Sequence, residues 1–490
     1  MSCRSRRCDI HAQLPRARAR RIRCAPPEPP PRTRWWISMI DVAIVGAGPA
    51  GMTAALELQK LGLSTTVIDD QPAPGGRIFA NIEQRPAHGA EDRSGAALVR
   101  RFRQMGGDYR PASEVWQIEP GPRLFLSSSG QAQMIEPRFI LMATGAQERP
   151  MPFPGWQLPG VMTVGAAQIL LKTARQIPDK PVWLAGSGPL LLLYMHQLIA
   201  AGGMVEGILD TSPSGRIITA ARALPGAITY GWRDLLRGLA WQWQSRSIKV
   251  VRGITSLQAR GGDKLSHVTY STDDGQIGEI ATELLFIHDG VVPGLHGTIA
   301  AGCDHRWNEA EQCFEPILDT FGRTSVETIF AAGDGATIGG ARAATLSGRL
   351  AAIGIARAAG TMSSEQAETA AKPVRRGLAK AARFRHFVDA LYPPVKMALP
   401  DETITCRCEE VTARDIRAAL KNEAHLGPDG IKIATRAGMG PCQGRQCGAS
   451  LTRLVREAHG GAPDAIGFLR IRPPLKPLTL GELATLDSGI

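Results

Sequence analysis

The sequence predicts an α/β fold: two Rossmann-like dinucleotide-binding domains, the second inserted in the first, plus a small helical C-terminal cysteine-cluster domain. Three observations carry this prediction. A strand, a glycine loop, a helix and a second strand ending in an acid begin at Asp41; a similar unit begins at Pro181; and four of nine cysteines gather in the last fifth of the chain. At 490 residues the chain exceeds one ordinary core, and 43% hydrophobic content is enough to fill two or three. No uninterrupted apolar run is long enough for a transmembrane helix, so no membrane span is expected.

The formal charge of +12 is concentrated at one end, because residues 1–38 hold ten arginines against Asp9 and Glu28. The remaining body is nearly neutral, which argues against nucleic acid as its partner. The basic head also carries Pro26, Pro27, Pro29, Pro30 and Pro31 and has no apolar period, so it is expected to be a disordered extension, with Met39 as the true start. No apolar stretch follows Arg6 and Arg7, so export through a twin-arginine signal is not expected. The cysteines are too few and uneven for a secreted disulfide framework and fit a reducing compartment. A cytoplasmic location follows as the expectation.

The first unit reads "DVAIVGAGPAGMTAALELQKLGLSTTVIDD" from Asp41. Gly46 permits the tight turn, Gly48 lets a pyrophosphate approach the backbone, and Gly51 lets the helix pack on the strand, with Pro49 and Ala50 completing the loop. The helix N-terminus that follows offers unpaired N–H groups to phosphate. Asp69 closes the second strand, where a carboxylate can accept from the adenosine ribose hydroxyls; Asp70 is its neighbouring competitor. "PAPGGR", with Gly76 and Arg77, "LMATGA", with Ala143, Thr144 and Gly145, and "IFAAGDGATIGGARAATLSGRLAA", with Gly333 and Asp334, together resemble the two-dinucleotide-binding-domain flavoproteins. That resemblance implies FAD, with Asp334 binding its ribityl or pyrophosphate part and the next helix pointing its N-terminus at the flavin pyrimidine. A helix dipole there would stabilise an anionic reduced flavin.

The second unit reads "PVWLAGSGPLLLLYMHQLIAAGGMVEGILD" from Pro181. Gly186 and Gly188 are in place, but Leu191 stands at the third position, where a side chain obstructs close packing. Asp210 ends the next strand and favours NAD over NADP. NAD(H), another adenine nucleotide or an empty scaffold all remain open for this unit. Disulfide-reductase chemistry is not expected, since no close cysteine pair follows either loop; Cys303 and Cys313 read as ordinary core or surface thiols.

An alanine-, lysine- and arginine-rich stretch ending in "LYPPVK" reads as a connector to the cysteine module. There, "TCRCEEVTARDIRAAL" supplies Cys406 and Cys408, with Thr412 as N-cap of an amphipathic helix showing Ile416 and Leu420. "GMGPCQGRQCG" supplies Cys442 and Cys447. Four thiolates suit a [2Fe-2S] cluster, zinc or a structural thiol cluster. The one-residue gap of Cys406–Cys408 is tight for two ligands on one zinc, and Gly438, Gly440, Gly444 and Gly448 let backbone N–H groups curl towards inorganic sulfide; both favour iron–sulfur. A catalytic disulfide ranks below these, because C-x4-C lacks the C-x-x-C helix start. The expected division is 1–38 extension, 39–150 first segment of the FAD-binding domain, 151–284 second nucleotide-binding-like domain, 285–360 second segment of the FAD-binding domain, 361–400 linker, and 401–490 [2Fe-2S] domain and tail.

The tail resembles the bacterioferritin-associated-ferredoxin-like [2Fe-2S] domain, with C-x4-C where that family commonly has C-x2-C. "ATGAQERPMPFPGWQLPGVMTVGAAQ", "HDGVVP", "DTFGRTSVETIFAAGDGATIGGARAA" and the cysteine tail, in that order, resemble the FAD-containing large subunits of opine oxidases, of hydrogen cyanide synthase (its B subunit) and of D-hydroxyproline and dye-linked proline dehydrogenases. Gly294 stands where that group often has a polar residue. The resemblance implies a heteromeric amino-acid or opine dehydrogenase. In it, a glycine-oxidase-like FAD subunit oxidises a C–N bond and this chain carries electrons onward, with a small ferredoxin-like subunit and a peripheral link to a respiratory chain as further associates. The alternative is a self-sufficient NAD(P)H-dependent flavin reductase that discharges through its own cluster. No Ser–His–Asp, H-E-x-x-H or paired-carboxylate signature is present, so no catalytic side chain is assigned. His288 reads as a satisfied core histidine more readily than as an acid or base, and Trp232, Trp241 and Trp243 as core packing, a pocket or a partner surface.

Overall fold

Val42, Ala43 and Ile44 are apolar on both faces of the pleat, as a strand covered on both sides requires, and Val42–Val45 forms the centre of a parallel sheet. The computed structural model describes residues 40–86, 89–395, 397–422 and 427–486; the arginine-rich head and Met39 lie outside them. The first sheet runs in the order Ile329–Ala331, Phe139–Met142, Val42–Val45, Thr65–Ile68, Asp108–Arg110, all parallel. Helices Pro49–Lys60 and Gly340–Ala359 pack so closely that a Cβ on Gly348 would lie 2.2 Å from the Ala50 carbonyl oxygen. Small residues therefore fix the spacing of the two helices that bracket the first glycine loop.

The second parallel sheet runs Lys249–Arg252, Val205–Asp210, Val182–Ser187, Leu285–Asp289, Val161–Thr163. Its strand Leu285–Asp289 falls beyond the boundary expected at 284. The buried run Leu285, Phe286 and Ile287 needs neighbours on both edges, and it finds them in Val182–Ser187 and Val161–Thr163. The outgoing and returning crossovers then pair antiparallel, Ala146–Glu148 with Val291–Pro293. Each unit also carries a three-stranded antiparallel flap, residues 113–135 on the first and 254–281 on the second.

The stretch expected as a linker is mostly one helix, Ser364–Leu391, opened by a capping box between Ser363 and Gln366. Its Ala367, Ala371 and Val374 are buried against the Gly340–Ala359 side, so it is a packed element of the body. Beyond it come the short strands Ile404–Cys406 and Val411–Thr412 and the helices Ala413–Asn422, Pro428–Thr435 and Gly448–His459. Thr412 caps as the sequence predicts: its Oγ1 accepts from the Asp415 amide at 3.3 Å, while Asp415 accepts from the Thr412 amide at 2.9 Å. Ile416 and Leu420 are buried.

The cysteine module shares a core with the first unit. One apolar cluster runs through Leu126 and Met142 to Leu399, Cys406, Cys447 and Leu469. The chain after Leu469 lies along the first flap, where the Leu475 amide donates to the Trp116 carbonyl at 2.7 Å and the Ser127 hydroxyl to Glu482 at 2.6 Å.

Candidate functional site

The first glycine loop has the shape of a pyrophosphate cradle. A Cβ on Gly46, whose φ is +109°, would sit 2.3 Å from the Ala143 carbonyl oxygen, and one on Gly51 would sit 1.9 Å from that of Gly46. At Gly48 a Cβ would meet nothing within 4 Å, so the loop is open on the side a ligand would take. Pro49 is the first residue of the helix and Ala50 is buried behind it.

Asp69 and Asp70 are separated by their surroundings. Asp69 is buried, and its Oδ2 has no hydrogen-bond partner within the protein; burial raises its carboxyl to about 6. Asp70 is exposed and takes Lys476 Nζ at 2.6 Å. An orphaned buried carboxylate oxygen at the strand end fits a pair of ribose hydroxyls, so the residues present suit FAD there. Gly76 closes over the loop, 3.0 Å from the Gly48 Cα if given a Cβ, and Arg77 is exposed beside it. Asp334 Oδ1 accepts from the Gly339 and Gly340 amides, both at 2.9 Å, and so fixes the start of helix Gly340–Ala359. Gly333 donates to Ser347 Oγ. Thr144 Oγ1 donates to the Gly294 carbonyl at 3.0 Å and the Gly294 amide to the Gly145 carbonyl at 2.9 Å, joining the two crossovers.

The four tail cysteines come together as two pairs, Cys406 with Cys447 and Cys408 with Cys442. The Cys447 thiol bonds Cys406, which drives Cys406 down to about 6, aided by the amides of Gly438, Glu409 and Cys408; the same bond and burial push Cys447 up. Among the described residues no three His, Cys, Asp or Glu side chains converge on one point as ligands of a single ion. Two thiols per centre is the donor set of a two-iron cluster, and sulfur-directed amides are its usual surroundings. Gly440 is required by space, since a Cβ there would lie 2.2 Å from that of Cys408. Cys303 and Cys313 are both buried away from this group, and burial raises both thiols, Cys313 to about 12.

Contacts invisible in the sequence seat the cysteine loop on the flavin crossovers. Gln147 Nε2 donates to the Arg445 carbonyl at 2.9 Å, and His296 Nε2 lies 2.8 Å from the Gln443 carbonyl. Arg445 Nη1 in turn donates to the carbonyls of Cys442 and Leu475. The Trp156 indole N–H, from "PFPGWQLPG", donates to the Ile404 carbonyl at 2.7 Å, two residues before Cys406. Gln147 falls within the string that begins at Ala143, but nothing in the sequence singles out either it or His296, and the pairing of the crossovers brings them here.

The second glycine loop is closed by the chain itself. Gly186 and Gly188 have φ of +125° and +115°, as the turn needs, but Leu191 is buried in the core of the unit. Asp210 is held by Arg216 through two bonds, at 3.2 and 3.0 Å, and the Arg216 guanidinium stands 5.8 Å from the Tyr392 ring centre. The cavity beside the loop measures about 130 Å³ and is lined by Asp289, Glu311 and Asp389 together with Arg149 and Arg385, which pair with them: Arg149 with Asp289 at 3.6 Å, and Arg385 with Glu311 at 3.4 Å and Asp389 at 2.6 Å. Burial raises Asp289 to about 6 and Glu311 to about 7. Ligand pockets usually span roughly 300–1,000 Å³, so this cavity is small for a dinucleotide. His288 is buried with Nδ1 at 2.6 Å from Glu148 Oε1, a satisfied histidine on the second sheet. Trp232 and Trp243 are exposed, and Trp241 stands 6.1 Å from the His196 ring.

Residues 40–212 match the pyridine nucleotide-disulphide oxidoreductase family and residues 404–457 the BFD-like [2Fe-2S] binding domain. The A subunit of opine oxidase from Rhizobium meliloti is 40% identical over 463 residues, covering 91% of this chain and 87% of that protein. Hydrogen cyanide synthase subunit HcnB of Pseudomonas protegens is 30% identical over 472 residues, covering 92% and 99%. Among solved structures, L-proline dehydrogenase from P. horikoshii superposes with a TM-score of 0.66 at 19% identity, covering 91% of this chain and 79% of that one, a likeness of fold.

Proposed function

The chain belongs to the family of the opine oxidase A subunits, and on that premise we propose that it is the electron-transferring subunit of a cytoplasmic, heteromeric dehydrogenase that oxidises the C–N bond of an amino acid or opine. The observation that carries this reading is the seating of the cysteine loop on the flavin crossovers through His296–Gln443 and Gln147–Arg445. Bound in their sites, FAD supplies two-electron capacity and the [2Fe-2S] cluster a one-electron outlet.

The chain's own residues then have positioning roles. Asp69 accepts from the adenosine ribose, the Gly46–Gly51 loop receives the pyrophosphate, and Gly76, Arg77, Ala143, Thr144, Gly145, Gly333 and Asp334 line the rest of the cradle. Cys406, Cys408, Cys442 and Cys447 hold the cluster. The substrate site lies on a glycine-oxidase-like FAD subunit, with a small ferredoxin-like subunit as a third member. The Arg216–Asp210 pair and the small volume of the cavity weigh against NADH as the donor.

Co-purification with the products of neighbouring genes tests the proposal. A tagged complex should reduce a dye with proline, hydroxyproline or an opine, and both visible chromophores should bleach. A protein that emerges alone and oxidises NADH rapidly would sink it.

A further inference from the structure

Helix Leu224–Gln244 turns one side to the body and leaves the other without cover. On the inner side a Cβ at Gly231 would lie 2.2 Å from the Phe384 ring, Ala227 is fully buried, and Tyr230 takes Arg383 at 3.1 Å. On the outer side Trp232, Leu236, Leu239 and Trp243 follow at spacings of four, three and four, each between 52% and 69% exposed. They form one stripe roughly 16 Å long at about 1.5 Å per residue. Ile217 and Ile218, on the short preceding helix, are more exposed still. Four large apolar side chains in a row, open to water, mark a surface that something covers.

The charge beside the stripe selects the occupant. Between residues 222 and 246 the basic residues are Arg222, Arg233, Arg237 and Arg246, and the one acid is Asp234, paired with Arg237. Glu91, from helix Gly89–Gln104, also reaches Arg237 at 3.9 Å, so the arginines still outnumber the acids beside the stripe. The Arg233 guanidinium lies over the Trp232 ring, 5.2 Å from its centre. A second copy of the chain set face to face would bring arginine against arginine. Tryptophan and leucine on one side with arginine on the flank is the composition of a helix lying in a lipid headgroup layer. Among the described residues no helix is long and apolar enough to cross a membrane.

We propose that this face docks the protein on an anionic lipid surface, with the stripe in the headgroup–acyl boundary and the arginines on lipid phosphates. The inference rests on the helix alone and stands apart from the electron-transfer reading.

The test is sedimentation of the purified complex, and of the full chain by itself, with phosphatidylglycerol-containing or pure phosphatidylcholine vesicles. Both preparations should bind the anionic vesicles, with a blue shift in tryptophan emission and a loss of binding at high salt. Leu236→Glu with Leu239→Glu should lower binding roughly tenfold or more while flavin absorbance and melting stay as in the unsubstituted protein. Arg233→Gln with Arg237→Gln, a milder change, should weaken binding and flatten its salt dependence. Both variants keep the arginine-rich first 38 residues, so vesicle binding that stays undiminished in them belongs to that head and overturns the proposal. Binding by the lone chain but not by the complex would overturn it too, because the partner subunit would then be the cover.

Discussion

His296 Nε2 lies 2.8 Å from the carbonyl oxygen of Gln443, which joins the short helix after the returning crossover to the residue next to Cys442. Burial holds His296 down at about 4, so the ring is neutral near pH 7 and Nε2 carries the proton it donates. His296→Leu leaves that carbonyl without its partner, a loss of about 1–3 kcal/mol. The expected outcome is a lower melting temperature and slower electron passage between flavin and cluster by rapid mixing. If both were unchanged, the contact would be incidental.

Asp69 links FAD retention to pH. Burial raises its carboxyl to about 6 in the open cradle, and ribose hydroxyls donate more strongly to the ionised form, which can accept at both oxygens. FAD binding then favours loss of the proton, so affinity should be full above pH 6 and fall as pH drops through it. Reconstitution of the FAD-free protein between pH 5 and 8, followed by quenching of flavin fluorescence, measures this. Asp69→Asn should cost about 1.5–3 kcal/mol of affinity and flatten the pH profile. A profile in Asp69→Asn as steep as that of the unsubstituted protein would assign the pH dependence elsewhere.

What the sequence disclosed and what it withheld divide along physical lines. Gly46, Gly48 and Gly51 were legible because a phosphate loop constrains residue type at fixed spacing, and Cys406, Cys408, Cys442 and Cys447 because thiols are rare enough for their grouping to stand out. The closure of the second loop was half legible: Leu191 announced it, but Arg216 on Asp210 and Tyr392 beneath Arg216 are long-range contacts with no local signature. The helical stretch before "LYPPVK" read as a connector because its alanines suit any helix. Only Phe384 against Gly231 and the burial of Ala367 and Ala371 reveal it as packed. The roles of His296 and Gln147 were illegible, although Gln147 sits in the string from Ala143, since one histidine and one glutamine gain meaning only from what the fold sets opposite them.

The two cysteine pairs should be separable from the other thiols by composition. Cys408→Ser or Cys442→Ser should remove iron, acid-labile sulfide and the cluster's visible absorption together, because each removes half of one centre's thiols. Cys303→Ser should leave all three in place, since Cys303 bonds Thr324 in the core and lies outside the group. Retention of one zinc in a colourless protein would replace the iron–sulfur assignment.

Trp156 offers a graded test of how the cysteine strand is held. Its indole N–H serves the Ile404 carbonyl and its ring packs with Phe153 in the core of the second unit. Trp156→Phe removes the hydrogen bond but keeps most of the volume, so about 1 kcal/mol of stability should go. Trp156→Ala adds a cavity and should cost about 3–5 kcal/mol. Denaturant melts give both numbers, and an iron content that falls in Trp156→Phe before stability does would tie the indole to the cluster strand.

Asp210 decides between a nucleotide ligand and a structural acid. The Arg216–Asp210 pair is largely shielded, with side chains 18% and 14% exposed, and both guanidinium nitrogens are engaged. Arg216→Ala would leave the carboxylate with the Ser212 amide, at 2.9 Å, but without its counter-charge, and should cost about 1–3 kcal/mol, between the values for exposed and fully buried pairs. Asp210→Asn should lower the melting temperature while leaving the response to NADH unchanged. That response should be no bleaching of the flavin within seconds, because the cavity beside Gly188 holds only about 130 Å³ and Arg216 already occupies Asp210. If instead NADH bleaches the flavin and Asp210→Asn raises its half-saturating concentration, Asp210 is a ribose ligand, Arg216 moves aside on binding, and the chain is its own reductase.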